Sequence, residues 1–115
     1  MQSTEQLFGD LLVLTIHSDR LDGTAGAELK AVIADATGRG HGRIVVDLAK
    51  VRFMDSTALG SLVSALKLVG RTGELSLASA QSTVSTLFKL TRMDKVFHMH
   101  TSINDAVELA QATGT

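Results

Sequence analysis

Short apolar runs along this chain alternate with longer segments in which apolar residues recur every three to four positions. The runs are too short for helices, and their dense or alternating aliphatic residues predict strands. Four strands are predicted in this way: Leu11–Ile16, Ile44–Leu48, Glu74–Ala78 and Val96–His100. Leu7 and Phe8 are expected to form an edge strand before the first of these. A turn at Gly9 and Asp10 would join the two.

The longer segments carry the apolar spacing of amphipathic helices. Their apolar faces begin at Ala25, Leu59, Val84 and Ile103. Short polar side chains precede three of these faces, and such side chains accept hydrogen bonds from the first N–H groups of a helix. Thr24 is the predicted N-cap of the first helix, and Asp55 and Ser56 both suit that position in the second. Thr101 or Ser102 is the predicted N-cap of the last helix.

The alternation of strands and helices indicates an α/β fold. We expect a mixed, largely parallel sheet of four to five strands with about four helices. Short glycine-rich turns separate these elements, and none is long enough to be a linker between domains. The 115 residues are therefore expected to form one domain that spans positions 1–115.

Composition excludes several classes of protein. The 44% hydrophobic and 20% charged residues exclude a disordered chain, and the absence of cysteine excludes disulfides and Cys-based sites. A net charge of −1, with no Trp or Tyr, gives no basis for binding nucleic acid or an anionic membrane surface. No apolar run approaches the ~18 residues of a membrane span. The N-terminus lacks the pattern of a secretory signal, so a cytoplasmic protein is expected.

The segment from Phe53 to Gly60 carries the candidate chemistry, because it leads directly into the second helix. Asp55 and Ser56 both suit a cap, and the simplest interpretation is that they only cap this helix, at ~1 kcal/mol. The functional interpretation is that Ser56 is phosphorylated. A phosphate would add roughly −1.5 to −2 charge at a helix N-terminus, where the helix dipole favours it. It would therefore change the surface of the domain without unfolding it.

The eight residues 53–60, FMDSTALG, resemble the Asp-Ser-Ser/Thr-Gly-Leu-Gly signature of STAS domains, specifically of the bacterial anti-sigma factor antagonists. Leu21-Asp22 followed by Thr24-Ala25 is similar to the family's entry into its first helix. The strand from position 43 to 48 resembles the family's strand before the signature, and the segment 82–97 resembles its third helix and the return strand. The resemblance covers roughly positions 7–110 and implies the STAS fold.

The resemblance implies a partner switch. In this family, the unmodified antagonist binds an anti-sigma factor that is also a serine kinase of the GHKL ATPase type, and this binding frees the sigma factor. The kinase phosphorylates the serine after the aspartate, here Ser56, and the complex then dissociates. A PPM-type phosphatase reverses the modification. The partner footprint is expected to centre on Ser56, and its other members are Asp22, Thr24, Asp55, Thr57 and Gly60.

One residue departs from the family pattern. Ala58 stands where the family usually has glycine, and its methyl group is expected to narrow the range of kinases that fit or to weaken docking. The sequence has no Gly-rich phosphate loop, metal cluster or nucleophile–base pair, so no catalytic activity, cofactor or metal is expected. His98 and His100 would face the same side of a strand, and we expect a solvated pair rather than metal ligands.

Three alternatives remain open. A STAS domain can serve as a scaffold subunit in a stress-signalling assembly or as a soluble partner of a lipid transporter. Asp47 ends a predicted strand and suits a receiver-type phosphoacceptor, although the acidic pair and the lysine that receivers use are missing. Ser56 suits an enzyme nucleophile, although it lacks the G-x-S-x-G elbow and a base placed by the sequence.

Overall fold

A computed structural model of the protein describes residues 1–113. The strands are β1 (Ser3–Phe8), β2 (Leu11–Ile16), β3 (Arg20–Leu21), β4 (Arg43–Asp47), β5 (Phe53–Met54), β6 (Glu74–Ala78) and β7 (Met99–His100). The helices are α1 (Gly23–Gly38), α2 (Ser56–Val69), α3 (Ser82–Leu90) and α4 (Ile103–Thr113), and a 3₁₀ turn covers Met93–Lys95. Strands and helices thus alternate along the chain, as the hydrophobic pattern predicts.

Five of the strands form one sheet in the order β1-β2-β4-β6-β7. β1 is antiparallel to β2, and the other neighbouring pairs are parallel. The predicted mixed, largely parallel sheet with four helices is therefore confirmed. Parallel strands end at the same edge of a sheet, so the loops that follow β2, β4, β6 and β7 share one end of the molecule. This is the end at which α/β folds place their functional sites.

A second, two-stranded sheet lies beside the first. β3 and β5 pair in parallel, with Arg20 opposite Phe53 and Leu21 opposite Met54. The N–H of Asp55 continues the pairing by donating to the carbonyl of Leu21 at 3.3 Å. Strands of two residues have no recognisable period, so the hydrophobic pattern does not predict this sheet. Its effect is to hold the first residues of α1 and α2 side by side.

The two faces of the large sheet bury cores of different size. α1, α2 and α3 cover one face, and the larger core beneath them contains the fully buried Leu14, Ile33 and Phe88. α4 covers the other face over a smaller core, in which Ala106 packs with Val45. Successive residues of a strand point to opposite faces, so β2 and β4 contribute to both cores.

α1 and α2 approach each other closely through small residues. Gly26 of α1 is buried, and a Cβ built on it would lie 2.7 Å from the Cα of Ala58 and 3.0 Å from its Cβ. Ala58 is itself 0% exposed. Its methyl group therefore packs against α1 and does not reach the surface. The expected effect of Ala58 on the choice of kinase or on docking stays a prediction, and because the side chain is buried, such an effect would act through the packing of α2 against α1.

The structure corrects the start of the first helix. Asp22, rather than Thr24, is the N-cap of α1, and its carboxylate accepts a hydrogen bond from the N–H of Ala25. Thr24 lies within the first turn. In the last helix, the Oγ of Ser102 accepts a hydrogen bond from the N–H of Asp105 at 3.1 Å, so Ser102 occupies the capping position that the sequence left open between two residues.

Two strands also differ in length from their predictions. β1 begins at Ser3, because it pairs with the whole of β2, but most of its side chains are exposed and give no apolar signal. β7 is shorter than the predicted strand. Val96 has helical backbone angles (φ −95°, ψ −40°) after the 3₁₀ turn, so the extended pairing with β6 is confined to the residues of β7.

Candidate functional site

The N-termini of α1 and α2 lie next to each other at the functional end of the sheet. Each helix follows one strand of the small sheet and is capped by an aspartate. The carboxylate of Asp22 accepts from the N–H of Ala25 at 3.0 Å, and that of Asp55 accepts from the N–H of Ala58 at 2.8 Å. The two strand–cap–helix units are therefore built alike and run in the same direction.

A short internal repeat accounts for this likeness. Residues 21–25 read Leu-Asp-Gly-Thr-Ala, and residues 54–58 read Met-Asp-Ser-Thr-Ala. In each unit the apolar residue is the buried end of a short strand, and the aspartate is the cap. The repeated Asp-x-Thr-Ala is the sequence signal that could have revealed the small sheet. The two units differ at the first helical residue, which is Gly23 in α1 and Ser56 in α2.

Ser56 is exposed at the first position of α2. Its hydroxyl makes no hydrogen bond with the residues that the structure describes, and the N–H of Ala58 donates instead to Asp55. The hydroxyl therefore has no role in capping the helix. The carboxylate of Asp55 caps the helix, and the side chain of Ser56 is exposed to solvent.

The other predicted footprint residues are two half-buried capping aspartates and three exposed small residues. The capping carboxylates of Asp22 and Asp55 are half-buried. Thr57 is exposed, and a Cβ built on Gly23 would lie 3.0 Å from its Cγ2, so the two helix starts are in contact here.

Gly60 and Thr24 complete the predicted footprint. Gly60 is exposed four residues after Ser56, on the same side of α2, and a Cβ built on it would meet no atom within 4 Å. Thr24 is exposed in the first turn of α1. The fold thus brings both helix starts, with their exposed small residues, onto one surface.

Two residues that the sequence reasoning missed border this surface. Phe53 is 41% exposed, although it is aromatic. The guanidinium of Arg20 lies over its ring, with Cζ 4.4 Å from the ring centroid. No local pattern pairs these residues, because they come from the two strands of the small sheet and meet only through its register.

A comparison with known protein families identifies the fold. The family model of the STAS domain matches residues 4–106 of the chain. The chain belongs to the STAS domain family. A protein of Thermotoga maritima named as an anti-sigma factor antagonist is 25% identical to this STAS chain over 104 residues, which cover 90% of this chain and 92% of the relative.

Solved structures of antagonists share the STAS fold of this chain. The crystal structure of a Thermotoga maritima anti-sigma factor antagonist superposes with a TM-score of 0.84 at 23% identity, over 95% of this chain and 94% of that one. The unphosphorylated form of the antagonist SpoIIAA superposes with a TM-score of 0.80 at 18% identity, over 99% of this chain and 100% of that one. SpoIIAA of Bacillus has also been solved in the phosphorylated form. These likenesses show that the chain has the fold of the solved antagonists.

Asp47 has a structural position in this STAS domain. It ends β4 and is half-buried. Its Oδ1 accepts from the N–H of Ala49 at 3.0 Å, and its Oδ2 accepts from the Oγ1 of Thr15 at 3.4 Å. One carboxylate oxygen is thus bonded within the turn after β4, and the other is bonded to the neighbouring strand β2.

His98 and His100 lie at the far edge of the sheet. Their rings stack with centroids 4.2 Å apart and an interplanar angle of 23°, which confirms that both face the same side. Partial burial lowers the pKa of His100, and the neighbouring His98 lowers it further, whereas Asp105 raises it. Within residues 1–113 there is no group of three or more His, Asp or Glu side chains arranged to hold a metal ion. Nor is any helix of that range long and apolar enough to cross a membrane.

Proposed function

We propose that this STAS protein is an anti-sigma factor antagonist in a partner-switching module. Its unphosphorylated form binds an anti-sigma factor that is also a GHKL-type serine kinase, and the sigma factor is released. The kinase transfers a phosphoryl group from ATP to the Oγ of Ser56, and the complex dissociates. A PPM-type phosphatase hydrolyses the phosphoserine and restores binding. In this proposal the nucleotide and the catalysis belong to the partners, and the antagonist is a cytoplasmic protein.

The observation that carries the proposal is that the hydroxyl of Ser56 is exposed and makes no hydrogen bond within the described residues. Helix α2 is capped by Asp55 and not by this hydroxyl. A serine used as an N-cap would have its Oγ occupied by a backbone N–H, and a kinase would have to break that bond. Here Asp55 accepts that hydrogen bond at 2.8 Å. Ser56 can therefore be modified without loss of the cap.

The charges around Ser56 explain how a phosphate would act as a switch. A phosphate on Ser56 adds roughly −1.5 to −2 charge next to Asp55, on the surface that also carries Asp22. The positive end of α2 tolerates this charge, so the fold is kept. A partner surface that fits the neutral serine would have to bury the new charge without a counterion, which costs several kcal/mol.

The relatives support the proposal at the level of the family. The Thermotoga maritima relative is named for antagonism of an anti-sigma factor, and it covers nearly the whole of this chain. SpoIIAA adopts the same fold and has been solved in a phosphorylated form. A modified antagonist is thus compatible with this fold.

The first step of the test identifies the partner. Wild-type protein and Ser56→Asp protein are used to recover partners from the source cells, and the recovered proteins are compared by mass spectrometry. We expect a GHKL-type kinase with the wild type and not with Ser56→Asp. Incubation with this kinase and ATP should place the phosphate on Ser56. Phosphate on Thr57, Ser61 or Asp47 instead would refute the assignment.

The second step measures the switch by calorimetry, with thermal melts alongside. Ser56→Asp should bind the kinase at least 100-fold more weakly than wild type, which is about 2.7 kcal/mol. Ser56→Ala should bind normally and stay bound in the presence of ATP. Thr72→Asp is the matched control, because it adds the same charge in the exposed turn after the far end of α2. Equal binding by Ser56→Asp and wild type would refute the electrostatic switch. A collapse of its melting temperature would show that Ser56 is structural.

A further inference from the structure

Phe53 is an exposed aromatic residue in a chain with few of them. The chain has four phenylalanines and no tryptophan or tyrosine. Phe88 and Phe97 are 0% and 3% exposed and contact each other edge to face in the core. Phe53 is 41% exposed, and it is the single aromatic among the exposed large apolar residues of the region that the structure describes. Aromatic residues, phenylalanine among them, are enriched at protein interfaces relative to the rest of the surface.

The small sheet explains why the ring points outward. Residues of a strand alternate between its two faces, and Leu21 and Met54 take the inner face, at 0% and 7% exposed. Arg20 and Phe53, which precede them and lie opposite each other, must therefore take the outer face. There the guanidinium stacks on the ring with Cζ 4.4 Å from the centroid. We call these two side chains the Phe53–Arg20 pair.

The backbone that carries this pair is held by hydrogen bonds from two directions. The carbonyl of Asp19 accepts from the N–H of Arg52 at 2.7 Å and from the N–H of Phe53 at 3.1 Å. The carbonyl of Arg52 accepts from the Oγ1 of Thr83 in α3 at 2.8 Å. The ring is thus presented on a fixed backbone and stacked under a guanidinium. Binding through it would cost less conformational entropy than binding through a mobile side chain.

The pair lies within reach of any partner that covers Ser56. Three residues of extended chain span at most ~11 Å, so Phe53 lies no farther than this from Ser56. A standard interface covers about 800 Å² of each partner, which is a patch about 30 Å across. A footprint centred on Ser56 is therefore wide enough to include the Phe53–Arg20 pair.

The charge of the pair is also available to a partner. Arg20 is exposed and forms no ion pair with the residues that the structure describes. The carboxylates at the two helix starts, those of Asp22 and Asp55, are directed to the first turns of their own helices. The surface thus has an acidic part at the helix starts and a cationic, aromatic part at the small sheet.

We propose that the Phe53–Arg20 pair anchors the serine kinase on this STAS domain. Phe53 enters an apolar pocket of the kinase, and Arg20 faces a carboxylate at the rim of that pocket. This inference rests on the proposed function and adds to it an attractive contact with the kinase. That contact is made by residues other than the phosphorylated Ser56. Ser56 then decides whether the complex persists, and the Phe53–Arg20 pair decides which kinase docks.

The test uses the full-length protein and the kinase recovered with wild type. Phe53→Ala should weaken binding at least tenfold and raise the KM for phosphorylation of Ser56 with kcat unchanged, because docking is lost while the acceptor stays intact. Arg20→Gln should weaken binding several-fold and reduce the dependence of the association rate on salt. Leu7→Ala is the control, because Leu7 is 54% exposed on β1 beside the opposite end of β4 and should bind within twofold of wild type.

The outcomes separate this inference from the proposed function. If Phe53→Ala and Arg20→Gln bind within twofold of wild type while Ser56→Asp loses binding, the pair is not an anchor and the switch still stands. If Ser56→Asp binds like wild type, the proposed function is wrong and the inference fails with it. If Phe53→Ala melts at a lower temperature, Arg20→Gln decides: unchanged binding and unchanged salt dependence in that variant would overturn the inference.

Discussion

Asp55 and Ser56 are adjacent polar residues at the start of α2 with different environments. The carboxylate of Asp55 is half-buried and accepts a hydrogen bond from the N–H of Ala58 at 2.8 Å. The hydroxyl of Ser56 is exposed and has no such bond. Both residue types favour an N-cap, so their intrinsic preference does not distinguish them. At the scale of the residue, stability should depend on Asp55 and binding on Ser56.

This division predicts unequal effects of alanine substitutions on stability. Asp55→Ala should lower the free energy of unfolding by ~1 kcal/mol, because it removes the cap of α2. Ser56→Ala should change it by less than ~0.5 kcal/mol, because the exposed hydroxyl makes no hydrogen bond that the substitution would remove. Urea unfolding of both variants measures the difference.

Asp22→Ala provides the matched control, because Asp22 caps α1 with the same geometry at 3.0 Å. It should lose about as much stability as Asp55→Ala. A larger loss for Ser56→Ala than for Asp55→Ala would show that the hydroxyl, and not the carboxylate, holds the helix start.

At the scale of the element, the contact of α1 with α2 depends on the absence of a side chain. Gly26 lies against Ala58, and a Cβ on Gly26 would come within 2.7 Å of the backbone of α2. Backbone cannot yield as a flexible side chain does, so the two helices would have to separate. The glycine that the family signature places on α2 is replaced here by Ala58, and the space for its methyl group is provided by Gly26.

Gly26→Ala should therefore destabilise the domain by ~1–3 kcal/mol through overpacking. Replacing glycine by alanine within a helix otherwise raises the free energy of unfolding, so a decrease in Gly26→Ala would be due to the contact between the helices. Gly38→Ala is the control: Gly38 is the last residue of α1, and a Cβ there would meet no atom within 4 Å. That variant should be stabilised by ~0.4–1 kcal/mol. Equal effects in thermal or urea unfolding would show that the helix contact is not tight.

At the scale of the whole molecule, the two cores are unequal. The face under α1, α2 and α3 buries long aliphatic and aromatic side chains such as Ile33, Leu62 and Phe88. The face under α4 contains alanines, Ala106 and Ala110, as the buried residues of that helix. An alanine buries far less apolar area than a leucine or phenylalanine, so α4 is held by a smaller free energy than α2.

This inequality predicts that α4 opens before the rest of the domain. In native-state hydrogen exchange, the amides of α4 should exchange through a local opening whose free energy is lower than that of global unfolding. The amides of β4 and α2 should exchange only on global unfolding. Equal opening free energies for α4 and β4, measured over a series of low denaturant concentrations, would show that the two faces form one cooperative unit.

The local pattern of residues determined the elements and much of the candidate site. Leu11–Ile16 is a strand with the predicted bounds, and α2 begins and ends beside the predicted Asp55 and Gly70. The reason is that hydrophobic periodicity and capping act over a few residues of chain. The order of strands and helices then restricts the topology, because parallel strands need crossover connections.

Tertiary structure alone decided the features that depend on contacts between distant segments. The two-residue strands β3 and β5 have no period of their own and exist because they pair with each other. That pairing places Arg20 on Phe53 and brings the two helix starts together. The burial of Ala58 depends in the same way on Gly26 in another helix. The type of a side chain sets its chemistry, but its neighbours from distant parts of the chain decide whether it is buried, hydrogen-bonded or exposed to a partner.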